Sequence, residues 1–361
     1  MITERKVYNF GAGPSALPQE VFAEAAQAVK NYQSSGLSIL EISHRSNLFM
    51  DIMLEAETQI RSLMQIPDHY EVLFLQGGGS QQFAMIPLNL LPDDKTAYYI
   101  DSGIWAKKAF EESETIGRSA ILVSSEKNSY NSIPKEFSVP QDAAYLHLTT
   151  NNTIYGTQWF NAPKINCPLI ADASSDILCQ EINVADYDLI YAGAQKNLGT
   201  AGVTVVIIKK DLLGRSKRVI PKIFDYQQHA KAKSLYNTPA TYAIYVMLLT
   251  LRWIKKMGGV SEIEKLNRQK AALLYNEIDS NPLYKGHAVL EDRSLMNVVF
   301  QMTNPEMEKK FLKAAELFDI IGIQGHRSFG GFRVSLYNAI PLGHVEHLVS
   351  LMNQFREESV Q

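Results

Sequence analysis

The sequence predicts an α/β fold with a mostly parallel sheet, followed by a smaller C-terminal α+β domain. Three observations carry this. Between residues 15 and 260, helix-period and strand-period segments alternate. The strand-like runs are apolar at consecutive positions, VTVVII at 203–208 being the clearest, as in strands buried on both faces. From about Gly258 the pattern changes, and two long helical stretches give way to short strands and helices. This divides the chain into 15–260 and 261–361, with Gly258 and Gly259 as helix stop and hinge. Segment 1–14 is expected to pack on the second unit.

Each element follows from local pattern. Residues 18–32 read as a helix with Val21, Phe22, Ala25, Val29 and Tyr32 on one side. Asn47 is the expected cap of the next helix, whose apolar face is Phe49, Ile52, Met53, Ala56, Ile60, Leu63 and Met64. Strands are expected at 71–75, 96–100, 120–123 and 144–148, then in PLIA (168–171), in DLIYAGAQK (188–196) and at 203–208. A glycine turn, Gly77-Gly78-Gly79-Ser80, opens a helix over 83–90. Asn237-Thr238-Pro239 has helix-start chemistry, a cap with proline at the first helical position. Helices are expected at 238–257 and 261–280. The apolar stretch 242–253 is too short for a membrane span of about 20 residues and reads as a buried core helix.

Composition narrows the function classes. The chain has 361 residues, 46% of them hydrophobic, with 35 basic and 38 acidic residues and a formal charge of −3. No basic excess points to nucleic acid or an anionic membrane. Cys167 and Cys179 are too few for a disulfide framework and lack metal-ligand spacing. That suits a reducing cytoplasm, and MITERKVYNF has no signal-peptide core. No metal site is expected.

Lys196 is the residue out of place, because it follows an apolar strand run. Lost hydration there disfavours the ammonium and activates the amine. Asp172 ends a similar run 24 residues earlier. A lysine after a strand is usually a surface residue, and an aspartate there usually a cap. Together at neighbouring strand tips they form an electron-sink site, lysine for the aldehyde of pyridoxal phosphate and aspartate for its ring nitrogen. The glycine turn at a helix start offers amides to a phosphate. Trp105, at another strand exit, can stack on a flat ring, and Thr153 in NNTIYG can bond a cofactor oxygen. His44, Arg45, His326, Arg327 and Arg333 form cationic sets that clamp carboxylate or phosphate, which implies a multiply anionic substrate.

With NFGAGPSALP, EISHRS, LFLQGGGSQQF, SGIWAKKA, NNTIYGTQW, ADASSDIL, IYAGAQKNLGTAG, SLYNTPATYAIY and GHRSFGGFRVSLYNA in order, the chain resembles the phosphoserine aminotransferases. These are class-V aminotransferases of the aspartate-aminotransferase-like fold type I. The resemblance runs nearly end to end. It implies that Lys196 holds the cofactor aldehyde, Asp172 the ring nitrogen and Trp105 the ring face. It implies that Thr153, Ser174 and Gln195 bond the ring hydroxyl or phosphate, and Gly79 and Ser80 the phosphate. It further implies a homodimer in which Asn237 and Thr238 reach the neighbouring phosphate. Arg333 would take the α-carboxylate, and His44, Arg45, His326 and Arg327 the substrate phosphate or the second carboxylate of glutamate. The implied reaction moves an amino group between L-glutamate and 3-phosphohydroxypyruvate in serine biosynthesis. Some bacterial relatives also accept 4-phosphohydroxy-L-threonine in pyridoxine synthesis. Ser80 stands where some members carry arginine, Ala173 replaces a common methionine, Thr200 and Ala240 common prolines, and Asn152 a common glutamate.

A transaminase of the alanine–glyoxylate or serine–pyruvate type is the nearest alternative, although its substrates need fewer cations. A cysteine desulfurase would need a catalytic cysteine after the lysine, and both cysteines precede it. Gly11-Ala12-Gly13-Pro14-Ser15-Ala16 nominally fits a dinucleotide fingerprint. Pro14 removes an amide from it, and no adequate strand precedes it.

Overall fold

The computed structural model describes residues 6–360. The described chain enters through β1 (Tyr8–Asn9) and two helices, α1 (Gln19–Lys30) and α2 (Asn47–Met64). Next come β2 (Tyr70–Gln76), α3 (Gly79–Leu90), β3 (Thr96–Asp101), α4 (Ile104–Glu114), β4 (Ser119–Ser124) and β5 (Ala143–Thr149). A short hairpin of β6 (Asn151–Asn152) and β7 (Thr157–Gln158) precedes β8 (Leu169–Asp172), β9 (Leu189–Gly193) and β10 (Val203–Lys209). Helices α5 (Tyr226–Lys231), α6 (Thr241–Lys256) and α7 (Val260–Ser280) follow. The remainder holds β11 (Tyr284–Gly286), β12 (Asn297–Met302), α8 (Glu308–Leu317), β13 (Ile320–Ile321), β14 (Phe332–Ser335) and α9 (Leu342–Val360).

Among the described residues, one sheet orders seven strands as β2-β10-β9-β8-β5-β3-β4. Only β10 runs antiparallel to its neighbours in that sheet. Period-2 alternation explains the unbroken apolar runs, since each face meets helices. Val203, Val205 and Ile207 pack with α1, α2 and α6, whereas Val206 and Ile208 pack with α3 and α5 on the other face. The carboxyl ends of β5, β8 and β9 therefore share one edge, where Thr149 pairs with Asp172 and Asp172 with Tyr191.

A separate core joins α7, α8, α9 and the antiparallel sheet β11-β12-β14, with Phe10 inside it. Parallel pairing of β1 with β13 (Tyr8 to Ile320) ties Tyr8 and Asn9 to this body, and residues 1–5 of the expected segment lie outside the described residues. Gly258 and Gly259, with φ of 102° and 85°, turn the chain between α6 and α7 in a region L side chains rarely adopt.

Four local expectations change. The first is α3, which begins at Gly79 inside the glycine turn and not at Phe83. Phe22 is 47% exposed, because the buried stripe of α1 is Val21, Ala25 and Ala28, one helical step away. The cap of α2 is Ser46, whose hydroxyl accepts from the Phe49 amide at 3.4 Å, so Asn47 is already helical. Thr238 and Pro239 do not begin α6. The Pro239 carbonyl is used by the Thr241 amide at 2.9 Å, and the helix starts at Thr241. Ten of the sixteen α6 residues are buried, and no described helix is long and apolar enough to cross a membrane.

Candidate active site

A cleft of about 640 Å³ opens at the shared strand edge. Its lining includes Gly79, Ser80, Trp105, Thr153, Asp172, Ser174, Gln195, Lys196, His326 and Arg333 from the residues singled out in the sequence. Asp172 ends β8 and is 6% exposed, with one carboxylate oxygen accepting from the Ser174 amide at 3.0 Å. Lys196 lies in the tight turn after β9, fixed by amides of Leu198 and Gly199 donating to the Ala194 carbonyl. Burial pulls its ammonium below the ordinary lysine value. Asp172 and Asp176 oppose that, and Arg333 reinforces it.

The residues fit pyridoxal phosphate. Gly78 precedes α3 and no side chain caps the helix, so the first-turn amides at Gly79 and Ser80 remain for an anion. A Cβ on Gly79 would come within 2.9 Å of the Ser174 hydroxyl, so glycine keeps this wall close to the backbone. Trp105, in the first turn of α4, gives its indole N–H to Thr153 Oγ1 at 3.0 Å, which sets the ring plane. Two buried polar atoms of cleft residues, Thr149 Oγ1 and Arg333 Nε, have no protein partner, as expected of groups reserved for a ligand.

Charge at the mouth is positive. Arg333 on β14 is half-buried and brings Nη1 to 3.5 Å from the Thr153 carbonyl. Burial lowers the imidazole pKa of His326, and Arg333, Arg327 and Lys108 lower it further. Lys108 escaped the sequence reading. Its ammonium stands 5.0 Å from the centre of the Trp105 ring and has no ion-pair partner among the described residues. Its position three residues after Trp105 on a helix was the available signal.

Some sequence candidates do not line this cleft within one chain. His44 is half-buried and Arg45 exposed ahead of α2, and Arg327 is exposed beside His326. Asn237 gives its amide to Gln76 Oε1 at 3.1 Å, and the Gln76 side chain donates to the Thr238 carbonyl, at the strand end just before the glycine turn. Conversely, Ala12, Gly13 and Pro14 line the cleft. Ser15 holds this segment by its amide to the Gln195 carbonyl at 3.0 Å and by its hydroxyl to the Lys196 carbonyl. The glycine-rich GAGPSA is thus a wall against Lys196. Asn151 and Ser175 also line the cleft, and Asp176 lies behind it. Asp176 was legible only as the last residue of ADASSD.

The aminotransferase class-V family model matches residues 7–348. A phosphoserine aminotransferase of Flavobacterium johnsoniae is 51% identical over 348 residues, covering 96% of this chain and 98% of that one. The phosphoserine aminotransferase structure from Bacillus circulans subsp. alkalophilus is 44% identical with a TM-score of 0.96, covering 98% and 99%. A pyridoxal-phosphate-bound phosphoserine aminotransferase from Trichomonas vaginalis is 36% identical with a TM-score of 0.92, covering 96% and 100%. These likenesses bear out the fold-type I architecture expected from the sequence. The chain therefore belongs to the class-V aminotransferases and, among them, to the phosphoserine aminotransferase family.

Proposed function

We propose that this chain transfers an amino group between L-glutamate and 3-phosphohydroxypyruvate, giving O-phospho-L-serine and 2-oxoglutarate, with pyridoxal phosphate as cofactor. The observation that carries this is Lys196, an amine with depressed basicity facing the same cleft as Asp172 and a cationic mouth. Bound pyridoxal phosphate supplies an aldehyde that receives the amino group and a ring that accepts electrons from the substrate Cα. Lys196 would hold the aldehyde at rest and, when free, would carry the proton to and from the substrate Cα. Asp172, in the same cleft, would hold the ring nitrogen and keep it protonated. Trp105 would cover the ring, Thr153, Ser174 and Gln195 would bond its polar substituents, and the amides of Gly79 and Ser80 would hold the phosphate. Arg333 orients the α-carboxylate, and His326 and Arg327 take the distal anion.

His44, Arg45, Asn237 and Thr238 enter this scheme from a second copy of the chain. Exposed Leu37, Leu40, Met50 and Leu54 flank His44 and Arg45, an apolar surface that a homodimer would cover. We read 15–260 as the cofactor-binding domain and 261–361, with segment 1–14, as the smaller one. Free thiols at Cys167 and Cys179 suit a cytoplasmic setting. Steady-state kinetics with glutamate test the assignment. The phosphorylated keto acid, and 4-phosphohydroxy-L-threonine in the reverse direction, are compared with pyruvate and glyoxylate. Comparable kcat/KM for the unphosphorylated acids would reject it in favour of an alanine–glyoxylate type.

A further inference from the structure

Asp176 is 8% exposed, four residues past Asp172, and no cation pairs with it among the described residues. Its Oδ1 lies 2.5 Å from the Thr150 hydroxyl, and its Oδ2 receives the Gln158 amide at 3.4 Å. The same Thr150 hydroxyl lies 2.9 Å from the Asp172 carbonyl. Thr150 has one hydroxyl proton to give, and a carbonyl has none. The Asp172 carbonyl also accepts the Thr150 amide at 3.0 Å. Each hydroxyl contact has its own proton when Thr150 donates to the Asp172 carbonyl and the Asp176 carboxyl donates to Thr150.

We propose that Asp176 is a proton-bearing positioning residue: a neutral carboxylic acid that fastens Thr150 to the Asp172 backbone and whose charge sets how readily Lys196 gives up its proton. The groups facing it support this. Cys179, Tyr187 and Tyr337 are held protonated by burial, with Asp176 among the influences on each. Asp172 and Lys196 are the remaining titratable neighbours, of opposite sign. Burial, first among the causes, pushes the Asp176 carboxyl up to about 7. Ionised, it would hold a positive charge on Lys196; neutral, it releases that hold.

The inference rests on Lys196 being the working amine, which the turnover of Lys196→Ala decides separately. Asp176→Asn keeps a neutral donor of the same shape. Infrared spectra of wild type near pH 6 should show a protonated carboxyl band that Asp176→Asn lacks. A carboxyl raised from an ordinary value near 4 to about 7 stabilises the fold below the lower value. That stabilisation disappears as pH rises between the two. The thermal midpoint of Asp176→Asn should therefore gain on wild type by on the order of 5 °C between about pH 5 and pH 7.5. In the cofactor-loaded protein, the visible-absorbance pH titration of the variant should move to lower pH. A missing band, a flat difference in midpoint or an unmoved titration each overturns the proposal. If Asp176→Asn fails to fold, Thr150→Val serves. It should shift the carboxyl band without abolishing it, and an unmoved band overturns the proposal equally.

Discussion

His147 Nε2 and the Tyr191 hydroxyl meet at 2.9 Å across β8, the strand that ends in Asp172. Tyr191 also faces the Asp172 carboxylate, which together with burial keeps its phenol protonated. The opposite ring nitrogen, His147 Nδ1, is buried without a partner. That arrangement suits a neutral imidazole whose Nε2–H donates to Tyr191, leaving a bare acceptor at Nδ1. Asp172, the residue proposed for the ring nitrogen, thus rests on a dry, uncharged pair inside the sheet.

Acid should test this pair first. Burial depresses the His147 pKa to about 3, against an ordinary value of 6.5. A depressed histidine stabilises the fold above its unfolded pKa and loses that contribution as pH falls toward the folded one. Between pH 6.5 and pH 5 the loss is about 2 kcal/mol. His147→Gln keeps a donor for Tyr191 but cannot titrate. Its denaturation curves should be flatter over that interval, and parallel curves for variant and wild type would refute the assignment.

Lys196→Ala should fold, because Lys196 faces a cleft and not a packed core. Its turnover should fall by about 10³-fold or more, since the proposed attachment point and the proposed proton carrier are both gone. Single-turnover assays with preloaded pyridoxamine phosphate separate the two roles. Undiminished turnover would remove Lys196 from the mechanism.

The sequence disclosed those groups whose placement depends on strand ends. Lys196 and Asp172 stood out because each follows a short apolar run, and the sheet then put both at one edge. The strands of the seven-stranded sheet were read to within a residue or two, since a short, unbroken apolar run bounded by turn residues is what a strand covered on both faces requires. Helix starts were read less well at Ser46 and Pro239, because cap choice depends on which hydroxyl or carbonyl meets a particular amide. Lys270 shows the larger limit. It is fully buried, its ammonium held by the Leu336 and Tyr337 carbonyls at 2.9 Å each. Nothing in KLNRQKAALL distinguishes it from a solvated helix lysine. Its partners lie 66 and 67 residues away, so only the packed fold reveals them. The same holds for the wall formed by Ala12–Pro14, which sequence spacing suggested only as a poor nucleotide fingerprint.

Removing the Trp105 N–H without removing the ring isolates its orienting bond. Trp105→Phe leaves Thr153 Oγ1 without that donor and lets the ring tilt. One neutral hydrogen bond contributes about 1 kcal/mol, so cofactor affinity should weaken roughly 5-fold. Fluorescence or absorbance titration with pyridoxal phosphate gives the number. Unchanged affinity would mean the bond does not set the ring plane.

Arg333 sits half-buried at the mouth with its Nε unpaired. In the proposed scheme Arg333→Ala removes a charge-assisted contact to the α-carboxylate, which costs about 2–3 kcal/mol. kcat/KM for glutamate should drop roughly 30- to 150-fold, mostly through KM. Arg333→Lys should recover only part of this, because a point charge cannot make two parallel bonds. Full recovery by lysine would argue for simple charge attraction in place of a bidentate grip.

Lys108 offers the sharpest separation of substrate classes. Its ammonium is exposed and lies over Trp105, within electrostatic reach of His326. It lacks an ion-pair partner among the described residues, so its field is available to an incoming anion. A distal phosphate carries more charge than a carboxylate and should feel the loss more. Lys108→Met keeps an apolar stem against the indole. It should raise KM for the phosphorylated keto acid about 2- to 5-fold with little change in kcat. The effect should fade as salt is raised, because screening shortens the reach of an exposed charge to a few ångströms. Glyoxylate and pyruvate should show no such change. An equal rise for phosphorylated and unphosphorylated acids, or one insensitive to salt, would point instead to a disturbed Trp105 ring.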